Sequence, residues 1–293
     1  MTIYQSGAAF RRALEERLRS KSLNDGIPLF RLRKMVAFDR FLARLVKSQP
    51  ERWLLKGGFS IQLQIIDKAR TTKDLDILIL SKTQDILTML RQACEADLGD
   101  WFTFEVSLTE DQAIDNFGGL RYHIRSLLDS RVFEEYHIDV GVGDPVLDDA
   151  QRLTAPALLE FAEIQPAIIP CYPITQQIAE KIHAYTRPHR SGESSRVKDF
   201  IDILLLAKIG TIDSIRLSKA IQATFEARNT HPLPPEMPDP PLEWQKPYQK
   251  MAAEVDVVFR TLDSANQAIK IFINPILGDK AIYQWDPEIW SWR

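Results

Sequence analysis

The sequence predicts a mixed α/β first half followed by a mainly helical second half. Two observations carry this. Between about residues 50 and 147, short β-type runs (DLDILIL, FTFEVSL, LRYHIRSLL, VFEEYHIDVGV) are set among helix-periodic stretches. Beyond them, LTAPALLEFAEI, PITQQIAEKIHAYTR and RVKDFIDILLLAKIG all read as helices. The expected division is residues 1–150, the α/β domain with its N-terminal helices, and residues 151–293, the helical domain.

Residues 1–50 read as helical, with Phe30, Met35, Phe38, Leu42 and Leu45 roughly on one stripe. The basic residues Arg31, Arg33, Lys34, Arg40 and Arg44 are expected mostly on a solvated face. Next, WLLKGGFSIQLQII begins as a strand, breaks at two glycines and continues as an amphipathic helix. SKTQDILTMLRQACEAD is the helix between the first acidic strand and the later strands. Late in the chain, HPLPPEMPDPPLEWQKP is a loop, because proline lacks the donor and the freedom that a helix needs. One last helix is expected over Tyr248–Phe272, and the tail YQWDPEIWSWR is expected to dock its tryptophans on the core. No internal repeat is visible.

The chain has 293 residues, 45% hydrophobic and 26% charged, which is the balance of a globular protein with a sizeable core. No apolar run is long enough to span a bilayer, and the N-terminus lacks the basic-then-apolar order of a secretory signal. A cytoplasmic protein is therefore expected. A net charge of −3 argues against a surface that grips nucleic acid everywhere, while leaving room for a local basic patch. Cys94 and Cys171 form no CxxC pair and read as small buried residues.

Five pieces carry chemistry. Asp74 and Asp76 are two apart on a strand, so they share a face. Two such carboxylates repel unless a cation lies between them, and Mg²⁺ suits oxygen-only ligands completed by phosphate. A lone acidic pair is also a common solvated turn. Gly57 and Gly58 precede a helix, where backbone can approach a phosphate closely and the helix N–H groups face it. Ser60 is positioned to add a hydroxyl. Asp139 alternates with Ile138 and Val140 on a central strand, and on the face of Asp74 and Asp76 it would complete a three-carboxylate metal set. Failing that, it is a wet-face aspartate.

Lys181 lies within roughly 60° of the apolar stripe formed by Ile174, Ile178, Ile182 and Tyr185, so it must snorkel or meet an anion such as triphosphate. His183 falls on the far side and is expected to be exposed. Asp199 and Asp202, three apart on an apolar helix, lie side by side, with Ser194 or Ser195 as a cap. Charges that merely pair with one another compete with any catalytic role there. Arg70 and Lys73 flank the first acidic pair and would steer the nucleotide or the acceptor, or be solvated turn charges.

In order, LKGGFSIQL, RTTKDLDILI, IAEKIHAY and SRVKDFIDIL resemble the AbiEii/AbiGii-type nucleotidyltransferase toxins of abortive-infection and type IV toxin–antitoxin systems. The resemblance runs from about Phe30 to about Leu206. It implies a polymerase-β-like nucleotidyltransferase fold with a helical second domain, and an enzyme that moves a nucleoside monophosphate from an NTP to an acceptor. It implies that Gly57, Gly58, Asp74 and Asp76 hold metal (Mg²⁺, with Mn²⁺ as substitute) and triphosphate. It implies that Lys181 touches phosphate and that Asp199 supports the catalytic end. Several members are thought to modify tRNA, opposed by a cognate antitoxin. The chain departs from many relatives in carrying Phe59 directly after the glycines, which puts the hydroxyl of Ser60 one residue late and turns it by about 100°. The acceptor class stays open at this point: RNA, a small molecule, or a protein side chain. So does a relative that only binds nucleotide or a partner.

Overall fold

The computed structural model describes residues 3–65, 72–81, 85–113, 119–188, 196–255, 257–278 and 283–293. Arg70, Ser194 and Ser195 lie outside them. The chain forms two compact units that interleave along the sequence: residues 1–59, 71–143 and 151–171 in the first, residues 60–70, 144–150 and 172–293 in the second.

The first unit is built on a seven-stranded mixed sheet. Its strands are β1 (Trp53–Lys56), β2 (Leu75–Ile79), β3 (Phe102–Ala113), β4 (Leu120–Leu128), β5 (Arg131–Val142), β6 (Gln151–Thr154) and β7 (Ile168–Cys171), in the spatial order β3-β4-β5-β2-β1-β7-β6. β2 lies between β1, antiparallel to it, and β5, parallel to it. In β5 the even-numbered Tyr136, Ile138 and Val140 are buried, while the odd-numbered His137 and Asp139 are partly open. The same alternation in β4 buries Tyr122 and Ile124 and leaves Arg121, His123 and Arg125 on the other face. A strand's period of two thus sorts one sheet into an apolar face and a polar one.

The expected N-terminal helical region is two helices, α1 (Gly7–Asp25) and α2 (Leu29–Ser48). Gly26 caps the first in the left-handed region (φ +69°), and Pro28 opens the second. Met35, Phe38, Leu42 and Leu45 are buried as expected, but Phe30 is exposed. The basic residues correct the expectation of a solvated face more sharply. Arg31, Arg40 and Arg44 are buried. Arg44 donates to both carboxylate oxygens of Asp100 at 3.0 and 2.6 Å and to the carbonyl of Phe102 at 2.7 Å. Arg40 is held by Asp39, whose own carboxyl burial pushes up despite that arginine. An arginine inside a protein needs acceptors, and Arg44 finds them for both terminal nitrogens though not for Nε.

α3 (Gly57–Ile65) starts in the first unit, and α4 (Ile86–Glu95) is capped by Asp85, whose carboxylate accepts from the N–H groups of Leu87 and Thr88. The segment LTAPALLEFAEI, expected as a helix, is instead the end of β6, a loop and a single 3-10 turn at Glu160–Ala162. Pro156 interrupts helical hydrogen bonding there, and β6 gains its partners from β7.

The second unit packs α5 (Ile174–Thr186), α6 (Val197–Ile209), α7 (Ser214–Arg228), α8 (Gln245–Glu254) and α9 (Leu262–Leu277) around Ile178, Phe200, Leu204, Ile221, Tyr248 and Phe272. The single last helix expected over Tyr248–Phe272 is two, α8 and α9, the second begun by a capping box at Thr261 and Ser264. The proline-rich stretch is a loop tied down by its backbone: the N–H of Met237 donates to Asn274, and the carbonyl of Pro238 accepts from Tyr185. In the tail, β8 (Trp285–Asp286) and β9 (Ser291–Trp292) form a small hairpin. The indole N–H groups of Trp285, Trp290 and Trp292 donate to the carbonyls of Ala207, Ala268 and Phe272. The tail docks on the core as expected. Cys171 is buried as expected and Cys94 only partly; burial pushes the Cys94 thiol up to about 12, so it is not a reactive thiolate. No described helix is long and apolar enough to cross a membrane.

Candidate active site

Four charged residues stand in one row across the polar face of the first unit's sheet. Lys56 of β1 is opposite Asp76 of β2, Asp76 is opposite Asp139 of β5, and Asp139 is opposite Arg121 of β4. Residues directly opposite on neighbouring strands point to the same side, and strands lie about 4.8 Å apart. The two aspartates are therefore immediate neighbours. In the next row along, beside Gly141, Leu54 and Leu78 back them with apolar side chains.

Asp74 sits just before β2, where its carboxylate accepts from the backbone N–H of His137 at 3.2 Å. The ring of His137 is 3.5 Å from the same oxygen. Asp139 is turned the other way along its row. Arg121 donates from Nε and Nη2 to its two oxygens, at 2.7 Å each. That hydrogen bonding holds the guanidinium's proton more tightly than usual against the opposing burial, and Asp139, Asp74 and Asp76 add to it by charge. All three carboxylates thus act on one guanidinium. Among the described residues no three acidic, histidine or cysteine side chains are already gathered as a metal centre. The expected three-carboxylate set is placed on one face, but not preassembled, with Asp139 committed to Arg121.

Gly57 ties the glycine pair to the acids. Its φ is +67°, and a Cβ there would lie 2.1 Å from the Asp76 carboxylate oxygen. Only glycine fits both demands. Gly57 also opens α3, so the N–H groups of that helix start begin beside Asp76. Ser60 corrects an expectation: it is fully buried, and its hydroxyl accepts from Gln177 at 3.0 Å, a side chain that also donates to the carbonyl of Tyr172. Its role is to fasten α3 to α5, because the helix turns it away from the start that Gly57 presents.

In the second unit, Lys181 of α5 reaches two carboxylates of α6, Asp199 and Asp202, at 2.9 Å each. Arg196 adds a contact to Asp199 at 3.1 Å. Burial alone would raise the Asp199 carboxyl, but Lys181 and then Arg196 outweigh it and hold it below the usual range. Asp199 also lies in the first turn of α6, where the helix dipole favours a negative charge. His183 is a second correction. It is buried, shares a hydrogen bond with the hydroxyl of Thr230, and is held down to about 3 by burial, then by Arg228 and His231. The helix α5 is covered on nearly every side, so no far face was left for it.

Sequence reasoning passed over Arg121 and His137. Their signal was the alternation in LRYHIRSLL and VFEEYHIDVGV, which puts both on the face of Asp139.

A two-carboxylate row at a helix start suits phosphate and cation chemistry. A family profile described as "Nucleotidyl transferase AbiEii toxin, Type IV TA system" matches residues 40–269. No curated protein matches the sequence. Among solved structures the fold is similar to MenT4, a nucleotidyltransferase toxin from Mycobacterium tuberculosis H37Rv, at 15% identity and TM-score 0.58, covering 94% of this chain and 92% of that one. A weaker likeness is to JHP933 from Helicobacter pylori, at 14% identity and TM-score 0.45, covering 84% and 89%. With a profile spanning most of the chain and the motifs in their places, the protein belongs to the AbiEii nucleotidyl transferase toxin family of type IV toxin–antitoxin systems and is a nucleotidyltransferase.

Proposed function

We propose that this nucleotidyltransferase moves a nucleoside monophosphate from an NTP to an RNA acceptor, tRNA, with Mg²⁺ at the acidic row, in the cytoplasm where both substrates occur. The family implies an NTP substrate and an opposing antitoxin. The observation that carries the reading is the row Lys56–Asp76–Asp139–Arg121 with Gly57 pressed against Asp76.

The donors fit a hard divalent cation: they are carboxylate oxygens, adjacent in register, with a cationic guanidinium already standing at one of them. Asp74, Asp76 and Asp139 would hold it. Bound there, the ion would offset the charge spread over the phosphates and orient the departing pyrophosphate. The chain's own groups supply the rest. The backbone at Gly57 and Gly58 takes the phosphates closely. His137 fixes Asp74 through its N–H. Asp139 accepts the proton of the attacking hydroxyl. In the second unit, Lys181 is positioned by Asp199 and Asp202. The open face around the acids, where Asp74, Arg121 and His137 are each roughly one-third exposed, favours a large acceptor over a small enclosed one.

The test is incubation of the protein with each labelled NTP, Mg²⁺ and total RNA, followed by a denaturing gel. Label in a tRNA band is expected. Label only in other RNA, or none with any NTP and with either Mg²⁺ or Mn²⁺, would overturn the tRNA assignment.

A further inference from the structure

Asp139 poses a question that the two-carboxylate row does not answer. A divalent cation needs at least one of its oxygens, yet each already accepts from Arg121 at 2.7 Å, which sets a positive charge against any cation there. The grip is two-pronged, the arrangement in which guanidinium and carboxylate planes match. A phosphate group offers the same pair of oxygens with more charge, so it is a guanidinium's natural alternative partner. The exchange is also accessible. Arg121's side chain is 35% exposed and Asp139's 17%. The protein contains a contrasting pair of the same chemistry: Arg44 and Asp100 are each 1% exposed, and Arg44 is additionally bound to two backbone carbonyls. That pair is a structural lock. Arg121 carries no such duty, because the β4–β5 ladder runs on through Tyr122, Ile124 and Arg125 without its side chain.

We infer that Arg121 is a built-in competitor for the cation at Asp139, released when the phosphates of an incoming nucleotide draw its guanidinium away, so that metal and nucleotide bind this face cooperatively. The inference rests on the proposed cation role of Asp76 and Asp139. Without nucleotide, the cation must displace a positive charge from its own ligand. With nucleotide present, Arg121 moves to phosphate, Asp139 is delivered to the cation, and each ligand strengthens the other, as linkage requires. Arg121 thus acts as a positioning residue for the acid and a contact for the nucleotide. Asp74 and Asp76 pull on the same guanidinium by charge, which keeps it at the row in the resting protein.

The test is Mn²⁺ binding to the full chain, read by electron paramagnetic resonance, with and without an NTP analogue carrying a methylene bridge between the α and β phosphorus atoms. The parent is expected to bind Mn²⁺ weakly alone and about tenfold more tightly with the analogue, within the usual range of coupling between two sites. Arg121→Gln is expected to bind Mn²⁺ about tenfold more tightly without nucleotide, and to gain less from the analogue than the parent does. Arg121→Lys keeps the charge but loses the two-pronged hold, and should show the same trend at smaller size; it serves if the glutamine variant folds poorly. Asp139→Asn should lose the Mn²⁺ gain altogether. If Arg121→Gln binds Mn²⁺ like the parent with its nucleotide coupling intact, while Asp76→Ala abolishes binding, the competitor role is wrong and the cation assignment stands. If no variant and not the parent binds Mn²⁺ with or without the analogue, the cation assignment falls and the inference with it.

Discussion

Two acidic clusters in this protein invite comparison. On the sheet of the first unit, Asp74, Asp76 and Asp139 stand on a polar face, partly exposed, with Arg121 gripping one of them. Among the helices of the second unit, Asp199 and Asp202 are almost wholly buried and close on Lys181 from both sides. The first cluster carries more acid than base at the surface, where ligands exchange. The second matches Lys181 and Arg196 against two acids in the interior, where removal of either sign leaves a stranded charge. Similar side chains therefore stand open to solvent in one place and are locked together in the other, and burial decides which.

The strongest way to break that comparison is to delete an acid from the open cluster. Asp76→Ala is expected to abolish nucleotidyl transfer, by about a hundredfold or more, because a ligand to developing phosphate charge is lost. The melting temperature should hold or rise, since a like-charged neighbour of Asp139 is removed. Transfer at the parent rate by a folded Asp76→Ala protein would end the two-carboxylate reading. The mirror experiment strikes the closed cluster. Lys181→Met leaves Asp199 and Asp202 buried without their shared cation, and urea titration should show a loss of about 2–3 kcal/mol, somewhat below a fully buried pair because Lys181 is 16% exposed. An unchanged midpoint would mean that the second cluster is as loosely held as the first.

Gly57→Ala sharpens the contrast at smaller cost. The new methyl would meet the Asp76 carboxylate at 2.1 Å and impose a left-handed backbone on alanine. A stability loss of about 1–2 kcal/mol is expected from the backbone alone, with transfer impaired through a displaced Asp76. Full transfer activity would show that the carboxylate is free to move aside.

A last effect concerns pH. His183 is held down to about 3 in the folded chain, against an ordinary value near 6.5. A depressed value means that the unfolded chain binds the proton first, so stability is full above about pH 6.5 and declines as pH falls towards 3, by up to about 1.4 kcal/mol per pH unit. The Asp199 carboxyl is also held low, so its contribution is present above about pH 4 and lost only below that. Melting curves between pH 7 and 5 therefore separate the histidine from Asp199. His183→Asn should flatten the slope in that window, and an unchanged slope would assign it elsewhere.

Much of the site was legible because strand period and local motif are properties of the chain itself. Asp74 and Asp76 two apart, the glycines ahead of a helix, and Asp139 alternating with Ile138 and Val140 were each readable in place. The side by side placement of Asp199 and Asp202 followed from helical spacing, and their common partner Lys181 did not. The errors have a shared cause. Arg40 and Arg44 were read as solvated because a helix wheel records charge, not the partners waiting across the fold at Asp39 and Asp100. His183 was read as exposed because one stripe of α5 was visible in sequence, whereas α5 is packed on several sides.

By itself, the sequence determined what depends on near neighbours: the alternation that sorts β4 and β5 into two faces, the glycine that a left-handed turn demands, and the family motifs in their order. Tertiary structure alone decided the pairings between distant segments. It set Asp76 opposite Asp139 and Asp139 opposite Arg121, pressed Gly57 onto Asp76, and turned Ser60 inward to Gln177. The physical reason is range. Backbone sterics and side-chain period act over a few residues, while strand register and burial are settled only when segments 18 to 117 positions apart come to share hydrogen bonds and a core.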